Sequence, residues 1–286
     1  MNKVMEHDYA PAVATARDYY NSEDADNFYS LVWGGEDIHV GLYEHPREAV
    51  FDASRRTVVE MARRLPRLTA ETRVLDIGAG YGGSARFLAH EFGCLVTALN
   101  ISERENERGR RMNREQGVAR LVTIIDGSFE ALPFDDAEFD VVWSQDAILH
   151  SGDRRRVLEE TVRVLRPGGH FIFTDPMQDD GCPAEALEPI LARIHLETLG
   201  SPAFYRDTLT ALGLEELVFE DASQMIALHY GRIRDVLVEH EDEVARAVSR
   251  DYITRMKRGL QHWVDGGHRG DLRWGIFLFR KPRGVA

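Results

Sequence analysis

The chain has 286 residues, 43% of them hydrophobic and 9% aromatic, enough apolar side chain for a sizeable buried core and unlike a disordered composition. Its 35 basic and 48 acidic residues leave a formal net charge of −13, which excludes nucleic acid as a main partner, because such binders need a basic surface. No run of 18 apolar residues exists to span a membrane, and the first ten residues, with Glu6, His7 and Asp8, lack the apolar stretch of a signal peptide.

Taken in chain order, residues 1–45 read as a lid. They carry Tyr19, Tyr20, Phe28 and Tyr29, then Trp-Gly-Gly-Glu-Asp-Ile-His-Val-Gly at 33–41. Aromatics this dense outside a sheet serve either lid packing or a cage whose ring faces attract a methylated ammonium. Both readings stay open on spacing alone. Residues 46–65 place apolar side chains at helical spacing. Thr72–Ile77 is a short buried strand that runs into a glycine-rich turn. A helix follows over Ser84–Phe92, then a strand over Leu95–Leu99. Ser102 opens the next helix, with Glu105 three residues on as a capping box. Strands over Leu121–Ile125 and Phe139–Trp143, a helix over Asp153–Leu165, a turn over 166–169 and a strand over His170–Thr174 complete the series. Five strand–helix alternations predict a doubly wound parallel sheet with helices on both faces.

The rhythm breaks after Thr174. Helices are expected over 184–199 and 202–212, the second capped by Ser201 with Pro202 at its first position. Leu214–Phe219 reads as a strand and 224–261 as mostly helical. Leu272–Phe279 is an apolar strand expected to pair antiparallel at the sheet edge. The expected organisation is a lid (1–45), a core (46–175), and an acceptor-binding region with the C-terminal strands (176–286), within which 176–260 closes the site.

The turn after the first strand reads Gly-Ala-Gly-Tyr-Gly-Gly at 78–83, two residues beyond Asp76. Glycines here permit a tight turn and close backbone approach to a ligand. Asp76 suits the charged methionyl end of S-adenosylmethionine and disfavours a pyrophosphate, which wants an unobstructed helix N-terminus. The spacing of Gly78, Gly80 and Gly82 also departs from the dinucleotide fingerprint, so an NAD oxidoreductase is the weaker reading. Gln145, Asp146 and His150 follow the fourth strand, where an open α/β sheet lines its ligand crevice. A carboxylate there can hold an amine and an imidazole can take its proton; His150 alone could be a packed structural histidine, a reading that its pairing with Asp146 at this location weakens.

The glycine loop resembles that of class I methyltransferases, which use S-adenosylmethionine and leave S-adenosylhomocysteine. That fold implies a seven-stranded, mostly parallel sheet with helices on both faces. The resemblance implies that Asp76, Gly78 and Gly80 approach the cofactor, that Asn100 and Ile101 meet its ribose, and that Ser128 and Phe129 flank its adenine. Asn100 departs from the usual acidic residue and would accept a hydroxyl bond without charge assistance. Tyr29, Ile38, His39 and Gln145 are further cofactor-binding candidates. With 33–41 and 78–83, the motifs Trp-Ser-Gln-Asp-Ala at 143–147, Thr-Asp-Pro-Met at 174–177, Lys-Arg-Gly-Leu at 257–260 and Trp-Gly-Ile-Phe at 274–277 resemble the sarcosine/dimethylglycine N-methyltransferases, which make the osmolyte glycine betaine. This resemblance covers nearly the whole chain. A more distant similarity to phosphoethanolamine methyltransferases, on Asp-Ala-Ile-Leu-His at 146–150 and a lid tyrosine, implies that Tyr20 (or Tyr19) and His150 manage the acceptor's proton while Asp146 contacts its amine.

The acceptor is therefore expected to be a small amine, sarcosine or dimethylglycine. Its carboxylate calls for a cation, and Arg206, beside Tyr205, and Lys257 are the candidates. Trp33, His39, Met177, Tyr205, His229 and Trp263 serve either the pocket or packing. The eleven histidines show no ligand spacing, so no metal is expected. Cys94 and Cys182 are far apart, which suits a reducing cytoplasm, and a monomer or weak homo-oligomer is expected. Only Lys3, Lys257 and Lys281 are lysines; this suits a salt-rich cytoplasm or equally a GC-rich genome. Methylation of another small amine, such as phosphoethanolamine, and a non-catalytic S-adenosylmethionine-binding regulator remain as alternatives.

Overall fold

A computed structural model describes residues 9, 11–194 and 196–283. The reading of the first ten residues falls outside them except at Tyr9. Helices α1 (Pro11–Tyr20) and α2 (Glu23–Val32) open the described chain. Ser22 joins them: its hydroxyl accepts from Ala25 N and donates to the Tyr19 carbonyl, capping α2. The helix expected over 46–65 is α3 (Val50–Arg64). It starts late because the Glu48 carboxylate folds back to accept from Glu44 N and Arg56, which holds the preceding residues in a turn.

The alternation then runs as expected: β1 (Arg73–Ile77), α4 (Gly83–Phe92), β2 (Leu95–Asn100), α5 (Glu103–Glu115), β3 (Val122–Asp126), β4 (Phe139–Gln145), α6 (Arg154–Val164) and β5 (Leu165–Thr174). All five strands pair in parallel. Residues 166–169 do not form a separate turn. They lie inside β5 as a bulge, between the pairs Phe139–Leu165 and Val141–His170. Gly168 N donates to the Lys281 carbonyl and Lys281 N donates to the Gly169 carbonyl, so the C-terminus holds the bulge in the sheet.

Beyond β5 lie β6 (Met177–Gln178), α7 (Glu188–Ile194), α8 (Pro202–Ala211), β7 (Glu215–Asp221), α9 (Gln224–Glu239), α10 (Glu241–Val244), α11 (Arg250–Arg269), β8 (Leu272–Arg273) and β9 (Gly275–Arg280). The helix expected over 184–199 is a 3₁₀ turn at Ala184–Leu187 followed by α7. The cap of α8 is as expected, with Ser201 Oγ accepting from Phe204 N.

The seven strands lie in the order β3-β2-β1-β4-β5-β9-β7. β9 is antiparallel to both neighbours and is not the edge. Its residues are buried on both faces, which an inner strand requires, whereas β7 alternates and is half exposed. Phe173 and Phe219 each stack on Phe277, at 4.8 and 4.4 Å, so one row of rings crosses β5, β9 and β7. Apolar clusters cover each face of the sheet. A third, rich in aromatics, joins α1 and α2 to α9 and α11 above the carboxyl ends of the strands. The site lies between it and the sheet.

Candidate active site

The chain leaves β1 through Gly78 and Gly80, both at positive φ (73° and 53°). A Cβ on Gly78 would sit 2.2 Å from the Ala147 Cβ, because the turn crosses against the end of β4. That crossing opens three adjoining chambers. Ile38 lines all three.

The first lies over β2 and β3 and is lined by Asn100, Ile101, Glu105, Ser128 and Phe129. The capping box is only half made. Ser102 Oγ accepts from Glu105 N, but the Glu105 carboxylate turns away to accept from Asn100 Nδ2 at 2.9 Å. Its other oxygen has no partner among the described residues, and burial pushes its pKa up to about 7. The carboxylate that β2 lacks at its end is thus supplied from the first turn of α5. Sequence reasoning missed Glu105 because its spacing from Ser102 already had a structural explanation.

The second chamber is small and acidic. Asp76, Asp37 and Gln145 line it with Gly78 and Gly80. Burial, and then the charge of Asp37, pushes Asp76 up to about 7; burial pushes Asp37 up to about 6, against the pull of Arg55 2.8 Å away. Among the described residues Asp76 Oδ2 accepts no hydrogen bond, and Asp37 keeps only its ion pair with Arg55, through Oδ2. Gln145 Oε1 accepts from Ser84 Oγ and Trp143 Nε1, which fixes the amide and leaves its Nε2 donor without a partner among the described residues. An unpartnered carboxylate oxygen on buried Asp76, the Asp37 carboxylate beside it and an oriented amide donor fit an amino-acid head group carrying an ammonium and a carboxylate. Asp37, too, was missed, although it lies inside a motif singled out by resemblance.

The third chamber is aromatic, lined by Tyr19, Tyr20, Tyr29, Trp33, Tyr230 and Trp263, with His39, Asp146 and His150. Tyr20, Asp146 and His150 also line the first chamber, so the two meet there. The Tyr20 hydroxyl lies 2.9 Å from His150 Nε2. Burial holds the Tyr20 pKa well above its usual value, so the phenol stays protonated and can donate to that nitrogen. Tyr19 bonds instead to the hydroxyls of Tyr29 and Tyr252, at 3.3 and 2.9 Å. His39 lines both this chamber and the acidic one; burial drives its pKa down to about 4, so the ring is neutral.

Asp146 sits at φ 51°, a conformation uncommon for a side chain other than glycine. Its carboxylate accepts from Val40 N at 2.6 Å, Thr174 Oγ1 at 2.7 Å and Trp274 Nε1 at 2.8 Å. It ties the lid loop to β5 and to the start of β9 while bordering the first and third chambers. Burial raises its pKa against those donors.

Tyr205, Arg206 and Lys257 do not come to the chambers. Tyr205 is fully buried under the sheet edge and donates to Asp175 Oδ2 at 2.6 Å, while Asp175 Oδ1 accepts from Leu149 N. That pair braces the turn carrying His150. Arg206 is exposed and pairs with Glu216, because α8 presents it outward next to β7. Lys257 faces away from the chamber on α11 and pairs with Glu241 at 2.9 Å. Met177 is buried in the core cluster with Tyr205, and His229 lies behind Trp33, its Nδ1 accepting from Gly41 N. Among the described residues no group of three or more His, Cys, Asp or Glu is placed to hold a metal ion, and no helix is long and apolar enough to cross a membrane.

A seven-stranded sheet of this order, with a glycine turn after β1 and chambers at the strand ends, defines a class I methyltransferase, a class that takes its methyl group from S-adenosylmethionine. Residues 75–173 match the methyltransferase domain family. A sarcosine/dimethylglycine N-methyltransferase of Halorhodospira halochloris is 61% identical over 270 residues, 94% of this chain and 97% of that protein. A glycine/sarcosine/dimethylglycine N-methyltransferase of Actinopolyspora halophila is 56% identical over 95% of this chain, which spans about half (48%) of that relative. The crystal structure of a Galdieria sulphuraria protein described as a sarcosine dimethylglycine methyltransferase superposes with a TM-score of 0.88 at 42% identity, covering 93% of this chain and 100% of that one. The chain belongs to the sarcosine/dimethylglycine N-methyltransferase family.

Proposed function

We propose that the chain methylates sarcosine to dimethylglycine and dimethylglycine to glycine betaine, with S-adenosylhomocysteine as coproduct. The observation that carries this is the Tyr20–His150 pair on the wall where the aromatic chamber meets the first one. S-adenosylmethionine, when bound, supplies a methyl group on a sulfonium. Asp76, Asp37 and Gln145 would hold its amino-acid end. Asn100 with Glu105 would meet its ribose, and Ile101, Ser128 and Phe129 its adenine.

The acceptor nitrogen must present a lone pair. Alkylamines titrate near about 10, so the acceptor arrives protonated at neutral pH. Enclosure among aromatic rings disfavours that charge unless the rings hold it, and a neighbouring cation lowers the amine pKa further. The proton leaves through the Tyr20 hydroxyl onto His150 Nε2, the path their hydrogen bond supplies. The brace of Asp175 and Tyr205 keeps the His150 turn in place. The quaternary product has no proton to lose, so methylation stops there. In this reading residues up to 45 act as the lid and those from 176 on as the acceptor-binding region with the C-terminal strands, around a cofactor-binding core over 46–175.

The test is a methyl-transfer assay with S-adenosylmethionine and glycine, sarcosine, dimethylglycine or phosphoethanolamine in separate tubes, read by mass. Glycine betaine from both sarcosine and dimethylglycine is the expected result. Turnover of phosphoethanolamine alone, or of none of the four, overturns the assignment.

A further inference from the structure

If Arg206 and Lys257 are turned elsewhere, something else must meet the acceptor's carboxylate. Among the described residues no arginine or lysine lines the aromatic chamber. The chain has four tryptophans. Two have satisfied indoles: Trp143 Nε1 donates to Gln145 and Trp274 Nε1 donates to Asp146. The other two, Trp33 and Trp263, are 4% and 1% exposed, and their Nε1 atoms have no hydrogen-bond partner among the described residues. Both line the aromatic chamber and pack on Tyr230, whose ring lies 5.9 Å from Trp33 and 4.6 Å from Trp263. A buried indole N–H normally finds an acceptor. Two orphans on one chamber, beside two satisfied indoles outside it, describe a site awaiting an acceptor group.

We propose that the indole N–H groups of Trp33 and Trp263 donate to the carboxylate of the amino-acid acceptor, which the chamber binds without a cationic side chain. This rests on the proposed reaction at the same site. Neutral donors suit it. The acceptor nitrogen works beside a sulfonium and becomes a permanent cation, so a guanidinium in the same desolvated space would repel both. Hydrogen bonds to a carboxylate are charge-assisted and stronger than those between neutral groups. An amine without a carboxylate would leave two buried N–H groups unpaired, so the same donors select against it.

The experiment compares two ligands on the wild-type chain saturated with S-adenosylhomocysteine: glycine betaine, which carries both groups, and tetramethylammonium, which carries only the cation. In an ¹⁵N-labelled sample, two of the four indole N–H signals should move downfield with betaine and not with tetramethylammonium. They are assigned by their loss in Trp33→Phe and Trp263→Phe. By calorimetry each variant should bind betaine about tenfold more weakly, with tetramethylammonium and S-adenosylhomocysteine changed less than threefold. Unmoved indole signals in the wild type overturn the inference without any variant. So does equal weakening of both ligands, which would mean that the rings only pack. If the wild-type chain turns over neither sarcosine nor dimethylglycine, the reading of the reaction falls and takes the inference with it. Turnover with static indoles sinks the inference alone.

Discussion

The cofactor side and the acceptor side of this site are assembled by different means. The first two chambers are walled mainly by turns at the ends of β1, β2, β3 and β4, and apart from Tyr20 and the lid residues Glu36, Asp37 and His39 the polar groups in them lie within a few residues of those turns. The aromatic chamber takes side chains from α1, α2, α9 and α11, with one wall from the turn at His150. Strand ends hold backbone geometry because a buried parallel sheet resists movement. Helices packed on one another by aromatic rings hold shape through side chains, and that shape changes with each ring. The cofactor side therefore serves a large class of enzymes, while the acceptor side can be respecialised without disturbing it.

The largest expected effect separates the two sides at their junction. His150→Ala removes the proton acceptor and should lower kcat about 100-fold or more, while the dissociation constant for S-adenosylmethionine stays within about threefold. Calorimetry and steady-state kinetics on one preparation check both. Equal loss of binding and turnover would mean that His150 is a packing residue of the cofactor side.

That division also explains what could be read without coordinates. The alternating strands and the glycine turn beyond Asp76 follow from local patterns, because a strand, its turn and the next helix are consecutive in the chain, while the roles expected of Asn100, Ser128 and Phe129 at the next strand ends came from resemblance. Tyr20 and His150 were reachable through resemblance, though 130 residues apart. Glu105 was hidden by its own local logic, since a Glu three residues into a helix is a cap until the neighbouring Asn100 is seen to bond its carboxylate. Arg206 failed for the opposite reason: charge complementarity nominated it, but charge says nothing about which way a helix face points. The placement of β9 between β5 and β7 depended on two-sided burial, which an apolar run suggests without naming its neighbours.

A middle-sized effect sharpens the cofactor side. Asp76 and Asp37 hold protons up to about pH 7 and about pH 6 in the folded chain, because burial favours the neutral form. Unfolded carboxylates of this kind ionise near 3.8, so the folded state binds more protons between pH 4 and 7, and these groups subtract stability as pH rises through that window. A bound ammonium reverses this by favouring the charged form. The affinity for S-adenosylmethionine should therefore fall about tenfold from pH 8 to pH 5.5, and its thermal stabilisation should shrink in parallel. Asp76→Asn should bind weakly at both ends of the range and flatten the slope. A wild-type affinity that is constant with pH would show that these carboxylates do not receive the ammonium.

The smallest effect is the most pointed test of the acceptor side. Arg206→Ala and Lys257→Ala each break a partly exposed ion pair, with Glu216 and Glu241, of a kind worth below about 1 kcal/mol. Because neither side chain lines the aromatic chamber, KM for dimethylglycine should stay within about twofold in both variants. Steady-state kinetics at saturating S-adenosylmethionine measure it. A tenfold rise in KM with kcat kept would mean that α8 or α11 swings a cation into the chamber when acceptor binds. The acceptor side would then be finished by movement and not by the rings seen here, and its contrast with the preformed cofactor side would be one of mobility as well as of construction.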